Sequence, residues 1–317
     1  MGINHNNALI YGCMGLGGGW NQNPISADDE KTATDAIHKA LEIGITTFDH
    51  ADIYTFGKAE EVFGRVLQHN PTLRGSITLQ SKAGISLANK PNTANTYNLS
   101  KDYLLGQVHA ILKRLQTEYL DVLLLHRPDV LMDGNEIAEA FRYLKERGLV
   151  KHFGVSNMSV AQMQYIQHYV DNPLVANQIQ LSLGHTLALD ASVSVNTRLV
   201  QNDSGTQGLL EYCRMHNITI QAWGALDKGL YTETPLHELS GNTLETARIV
   251  RSLAEKYNIS PSSIVLAWLL GLPGAVQPII GTTQPSRIQA CKDASRVTLA
   301  REEWYGLWIS ARGTALP

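Results

Sequence analysis

Three ionisable side chains crowd the end of one short apolar run. In GITTFDHADIYTFGKAEEVFG, residues 44–64, the β-branched and aromatic segment 45–48 is followed by Asp49, His50 and Asp52, and Tyr54 comes five residues after Asp49. An apolar run of this kind with a glycine before it reads as a buried strand. A carboxylate held close to a phenol at the carboxyl end of that strand suits acid/base work. The same residues could instead merely cap and solvate a strand-to-helix connection, because residues 57–64 open a helix whose first turn carries Glu60 and Glu61. The other strands decide between the two, and their ends carry Trp20, Lys82, His126, Asn157, Gln178, Trp223 and Thr282.

The elements that must position these residues alternate along the chain. Strand-like runs fall at 9–13, 45–48, 77–80, 121–125, 151–155, 175–179, 218–223 and 276–280, each read as apolar throughout. Helices are expected after Ser26 as N-cap, with Ala33, Ala36, Ile37, Ala40 and Leu41 at helical spacing, and from Lys58. A third starts at Ser100, with Leu104, Val108, Ile111, Leu112 and Leu115 on one face. Asp133 with Glu136 and Ser159 with Gln162 make capping pairs for the next two. Further helices are expected at 209–216, 243–257, after Ser260-Pro261, from Pro285 and at 301–311. Residues 86–98 and 181–207 read as long polar connections, the second as a lid or binding loop. Eight apolar strands alternating with helices describe a closed parallel (β/α)8 TIM barrel, and one domain covering 1–317 absorbs the whole length. In such barrels function is built at the carboxyl ends of the strands.

Composition narrows the partners. The chain is 44% hydrophobic and 17% charged, which suits a large globular core. Its net charge of −3, with both signs interleaved, leaves no basic stripe for nucleic acid. Cys13, Cys213 and Cys291 are odd in number and far apart, which argues against a disulfide framework and a structural zinc site. The N-terminal segment MGINHNNALIYG has no basic start leading into an apolar core, and no stretch approaches the ~20 apolar residues of a membrane span. A cytoplasmic protein with no membrane or nucleic-acid partner is the expectation; oligomeric state has no signature in the sequence.

The motifs GITTFDHADIY, LQSKAGI, LLLHRPD, FGVSN and PIIGTTQPSRI, in this order at successive strand ends, make the chain resemble the aldo-keto reductases, and more closely their bacterial short-loop oxidoreductase branch. The resemblance implies an NADPH-dependent enzyme that reduces an aldehyde or ketone to an alcohol by hydride transfer. It places the family's catalytic tetrad on Asp49, Tyr54, Lys82 and His126. Hydride transfer to a carbonyl leaves charge on oxygen, so a proton donor and positive or dipolar stabilisation are needed there. Tyr54 can donate; the Lys82 ammonium, itself held by Asp49, is expected to favour the phenolate and ease donation; a neutral His126 can orient the carbonyl. The resemblance also implies a small carbonyl substrate, with Trp20, Tyr54 and His126 around it.

For the cofactor, the resemblance assigns Ser156, Asn157 and Gln178 to the nicotinamide carboxamide and the Trp223 ring to the nicotinamide face. Gly224 and Leu226 fall in the pyrophosphate loop, where Gly224-Ala225-Leu226 replaces the more usual Ser-Pro-Leu. Gly281, Thr282 and Thr283, with the start of the following helix, fall at the phosphate site. Arg287 falls on the adenosine 2′-phosphate, which favours NADP over NAD. No GxGxxG fingerprint follows a strand, so nicotinamide binding rests on the resemblance alone. Two other readings stay open. One is a metal-dependent barrel hydrolase using His50, Asp52 and His126, which leaves Tyr54 and Lys82 unused, whereas the reductase needs no metal. The other is a nicotinamide-cofactor-binding regulatory subunit of the same family.

Overall fold

The computed structural model describes residues 9–88, 94–197 and 205–317. The N-terminal reading of residues 1–8 therefore lies outside the described residues, as do residues 89–93 and 198–204 of the two long connections. Eight parallel strands close into a barrel in sequence order: β1 (Ile10–Gly12), β2 (Thr47–Asp49), β3 (Thr78–Ala83), β4 (Leu120–Leu125), β5 (Val150–Ser156), β6 (Leu174–Gln180), β7 (Thr219–Trp223) and β8 (Val276–Ile280). The expected barrel is present.

Two corrections bear on the chemistry. Asp49 and Lys82 lie inside β2 and β3 rather than just beyond them, with Asp49 opposite Gln80 in the register and Lys82 opposite Leu124. The strands are also not apolar throughout, since Thr47, Asp49, Gln80, Ser81, Lys82, Ser156, Asn177, Gln178, Gln221 and Gln277 are all buried. Side chains alternate along a strand, so Gln80 and Lys82 share one face of β3 and Ser81 takes the other.

The chain comprises two compact units, one of residues 10–177 with 281–285, the other of 178–280 and 286–317 with Leu9. The first holds α1 (Ala27–Glu42), α2 (Lys58–His69), α3 (Lys101–Leu115), α4 (Gly134–Glu146) and α5 (Val160–Tyr169). Ser26 and Asp29 form a capping box for α1, as Ser159 and Gln162 do for α5. The expected Asp133–Glu136 pair does not form. Asp133 caps α4 alone, accepting from Asn135 N at 2.8 Å, while the Glu136 carboxylate accepts from Lys101 N at 3.0 Å. Glu136 thereby serves the start of α3, where Ser100 makes no side-chain cap. The face of α3 predicted from its spacing, Leu104, Val108, Ile111, Leu112 and Leu115, is the buried one. Gly64 of α2 sits so close to α3 that a Cβ there would lie 2.2 Å from Arg114 O. Beside the 86–98 connection, Ile85–Ser86 pairs antiparallel with Thr96–Tyr97.

In the second unit, the 181–207 connection is not purely irregular. It contains α6 (Leu187–Val193), and Asp190 of that helix pairs with Arg312 at 2.9 Å. There follow α7 (Leu209–Met215), α8 (Gly241–Tyr257), α9 (Pro261–Leu270), the five-residue α10 (Pro285–Gln289) and α11 (Arg301–Arg312). Trp268 of α9 and Trp304 of α11 stack at 5.3 Å, and each indole N–H donates to the other's carbonyl.

Behind β3, Glu60 of α2 is fully buried, accepting from Ser81 Oγ at 2.6 Å and from Arg114 Nε at 2.7 Å. Removing one partner of a buried pair leaves an uncompensated charge, which costs about 3–5 kcal/mol. Arg114→Met is therefore expected to lose roughly that much stability in urea unfolding, and the double variant Glu60→Gln/Arg114→Met to recover part of it.

Candidate active site

Lys82 is 1% exposed, and its ammonium has three donors to satisfy. It donates to Asp49 Oδ2 at 2.7 Å, to His50 O at 2.8 Å and to the Tyr54 hydroxyl at 2.8 Å. The other Asp49 oxygen, Oδ1, accepts from Gln80 Nε2 at 2.5 Å. Asp49 is thus held on both sides, and Lys82 is fixed at its tip. Because the Tyr54 oxygen accepts from Lys82, the phenol hydrogen is left to donate elsewhere. The His126 ring stands 6.1 Å from the Tyr54 ring at 81°. The structure brings Asp49, Tyr54, Lys82 and His126 together, as their order along the chain predicts.

Protonation states follow from burial and neighbours. Burial works against the Lys82 charge, but the Asp49 carboxylate and Tyr54 more than offset it, leaving the pKa above the ordinary lysine value. Tyr54 departs from expectation. Burial of its hydroxyl raises the pKa by more than Lys82 lowers it, so the phenol stays protonated instead of sharing its proton toward phenolate. His126 is pushed well below the usual histidine range by burial, then by Lys82 and Arg127, so it is neutral as expected.

Of the three residues considered for a metal, His50 is buried beside Phe63, at 4.7 Å between rings, with its pKa pushed down to about 3 by burial and then by Lys82. Asp52 is 7% exposed, its N donating to Lys82 O at 3.0 Å. Among the described residues, no three His, Cys, Asp or Glu side chains gather into a set that could hold a metal ion.

The residues assigned to the cofactor occupy strand ends and the loops that follow. Asn157 takes a left-handed φ of 54° directly after β5, and its Nδ2 donates to Ser156 Oγ at 2.8 Å. Gln178 of β6 is buried and donates to Gln221 Oε1 at 3.0 Å. Trp223 ends β7 and is half-buried, with Gly224 (φ 70°), Ala225 and Leu226 after it. Gly281, Thr282 and Thr283 follow β8; Thr282 O accepts from the Tyr11 hydroxyl at 3.0 Å and Thr282 Oγ1 from Gln284 N at 3.2 Å. The helix beyond them, α10, is little more than a turn. Arg287 sits in α10 with its Nε 3.6 Å from Glu233 Oε2, a carboxylate the motif reading did not foresee. Trp20 is 49% exposed and packs edge-on against Phe56 at 5.7 Å.

Gln80, which braces Asp49, and Asn177 were missed from sequence. Asn177 Nδ2 donates to Met158 O at 2.8 Å and so steadies the turn carrying Asn157. Strand alternation offered a signal for Gln80, two residues before Lys82 on one face. Asn177 had none.

The chain is similar to known proteins over most of its length. The profile of the Aldo/keto reductase family matches residues 8–307. An uncharacterized oxidoreductase of Bacillus subtilis, YcsN, is 33% identical over 94% of this chain and 94% of its own. The fold matches a glycerol dehydrogenase from Gluconobacter oxydans with a TM-score of 0.81, at 24% identity, covering 98% of this chain and 94% of that one. It also matches an aldo-keto reductase from Klebsiella pneumoniae, solved in complex with NADPH, with a TM-score of 0.73 at 23% identity over 97% and 92%.

Asp52 makes a measurable prediction. Burial, and then the neighbouring Glu60, raise its pKa from 3.8 to about 7. Between those two values the unfolded chain has released the proton that the folded chain still holds, so stability falls as pH rises through this window. The stability advantage of Asp52→Asn over the wild type is expected to grow from pH 4 to pH 7, by at most about 1.4 kcal/mol per pH unit, and to be flat below pH 4. Urea unfolding across that range measures it.

Proposed function

The chain belongs to the aldo/keto reductase family, a family of NAD(P)H-dependent oxidoreductases, and from that premise we propose that it reduces a small aldehyde or ketone to the alcohol with NADPH. The observation that carries this reading is the Lys82 ammonium held between Asp49 Oδ2 and the Tyr54 hydroxyl. When bound, the nicotinamide supplies the hydride. Tyr54 gives its proton to the carbonyl oxygen as charge develops there, and Lys82 stabilises the phenolate that results. Asp49, braced by Gln80, keeps Lys82 charged and aimed. His126, neutral, offers a nitrogen to orient the carbonyl without competing for the proton.

The cofactor residues are of the right chemistry for a dinucleotide. Ser156, Asn157 and Gln178 provide hydroxyl and amide groups for a carboxamide. The half-buried Trp223 ring at a strand end suits stacking on a flat heterocycle. The backbone around Gly224 and Leu226, and around Gly281, Thr282 and Thr283, can approach phosphates; Gly224, with φ 70°, turns the chain where a side chain would be strained. Arg287 is the group for the 2′-phosphate, and the NADPH-bound Klebsiella relative supports that cofactor. Glu233 draws on the same guanidinium, so the preference over NADH is modest.

Tyr54→Phe is expected to bind NADPH as the wild type does and to lose about 10²–10⁴ in kcat for carbonyl reduction, the range for removing a general acid. Near-wild-type turnover by a folded variant would reject the assignment. Arg287→Ala is expected to weaken NADPH binding about tenfold, the low end for a charge-assisted contact, while NADH binding changes little. Titrating both cofactors against both proteins tests this, and equal losses would show that Arg287 does not read the 2′-phosphate.

A further inference from the structure

Tyr54 and Glu60 are six residues apart, and their side chains meet adjacent residues of β3. The Tyr54 hydroxyl stands 2.8 Å from Lys82 Nζ, whereas the Glu60 carboxylate accepts from Ser81 Oγ at 2.6 Å. Side chains alternate along a strand, so Lys82 and Ser81 point to opposite faces. Residues 54–60 therefore form a clasp that grips β3 in front through Tyr54 and behind through Glu60. Where the front contact stands depends on how firmly the rear one is fixed.

The rear contact is held from two sides. The Glu60 side chain has no exposed surface, and its second oxygen, Oε2, stands 2.7 Å from both Nε and Nη2 of Arg114. Charge-assisted hydrogen bonds of this kind are roughly twice as strong as neutral ones. Arg114 also touches the middle of the clasp. Gly57 takes a φ of 87°, and a Cβ there would lie 2.9 Å from Arg114 Cδ, so the arginine stem lies flush against the turn. Between Tyr54 and Gly57 the backbone holds left-handed φ values of 47° at Thr55 and 59° at Phe56. Residues with side chains disfavour that conformation, and it persists only where the surroundings impose it. The Thr55 hydroxyl, 3.0 Å from Leu16 O, constrains one end of the turn, and the Arg114 stem and the Glu60 carboxylate constrain the other.

We propose that Glu60 is a positioning residue for the reaction: bound to Ser81 of β3 and to the Arg114 side chain that backs the Gly57 turn, it sets where the Tyr54 hydroxyl stands relative to Lys82. This rests on the carbonyl-reductase reading above. Glu60 works from the far side of β3 and needs no contact with the substrate. A proton donor must lie within hydrogen-bond reach of the oxygen it protonates, and a displacement of about 1 Å caused by a change remote from the chemistry can cost about a hundredfold in rate. A purely structural ion pair governs how much protein is folded; a positioning one governs the rate of each folded molecule.

The test measures the single-turnover rate of hydride transfer from bound NADPH to propanal, butanal or benzaldehyde, whichever the wild type reduces fastest. NADPH affinity and urea stability are measured beside it, in Ser81→Ala, Arg114→Met and Glu60→Gln/Arg114→Met. Each variant is expected to transfer hydride roughly ten- to a hundredfold more slowly than the wild type, with NADPH affinity unchanged. The double variant discriminates. It regains part of the stability that Arg114→Met loses, because no buried charge is left unpaired, yet it stays slow, because nothing replaces the guanidinium behind the turn. Ser81→Ala removes one hydroxyl and leaves the ion pair in place, so it reports on the clasp even where Arg114→Met fails to fold. A wild-type rate in the double variant or in Ser81→Ala would reduce Glu60 to a structural role and leave carbonyl reduction standing. A wild type that binds NADPH but reduces none of the aldehydes would overturn carbonyl reduction and the positioning role together.

Discussion

A lysine with 1% exposure must find a hydrogen-bond acceptor for every N–H it carries, because an unpaired buried charge is among the most expensive features a fold can hold. Lys82 finds three, and the position of each is set by a different piece of the chain: Asp49 by β2, the His50 carbonyl by the residue that follows it, and the Tyr54 hydroxyl by the turn beyond. The ammonium is thus a three-way fastening between two neighbouring strands and the residue proposed to do the chemistry. Moving any one acceptor would strand the charge, so stability of the local fold and placement of Tyr54 are the same constraint.

Around that fastening the first compact unit is layered. On one face of β3, Gln80 and Lys82 share Asp49; on the other, Ser81 reaches Glu60, which Arg114 neutralises. The two ionic groups lie on opposite faces of one strand, back to back through a single residue step. Asp52 stands near both and is the group that burial leaves neutral up to about pH 7. Neutral His50 and His126 add no positive charge to compete with Lys82. The sum is a site with one ammonium, one carboxylate to balance it and one protonated phenol.

Much of this was legible in the amino-acid order. The apolar runs placed seven of the eight strands to within a residue or two and ended the third three residues early, and Ser26, Ser159 and Ser260 cap helices where their side chains said they would. That Asp49, Tyr54, Lys82 and His126 lie close together was legible because strand ends in a barrel converge, while the role proposed for them came from the family resemblance. What escaped was set by tertiary neighbours. Glu136 looked like half of a local capping box but serves the first backbone N–H of α3 instead. Gln80, Gln178, Gln221 and Gln277 fall inside runs read as apolar throughout, and their burial went unforeseen because hydrophobic patterning does not report which polar side chains find partners in the interior. The direction of the Tyr54 shift depended on how deeply its hydroxyl sits, which no spacing reports. The left-handed turn at Thr55 and Phe56 contradicts local preference, and the buried Thr55 hydroxyl sits between Tyr54 O at 2.8 Å and Leu16 O at 3.0 Å. The Glu233 partner of Arg287 lies in a loop remote in sequence from α10.

If Lys82 both fixes Tyr54 and stabilises its phenolate, the most direct measurement is the single-turnover rate of hydride transfer in Lys82→Met, followed by nicotinamide absorbance after mixing the NADPH-loaded protein with aldehyde. The account predicts a rate lowered by about a hundredfold or more, as for loss of proton-transfer assistance, with NADPH affinity preserved and a native far-UV spectrum. A folded Lys82→Met protein that transfers hydride at the wild-type rate would contradict it.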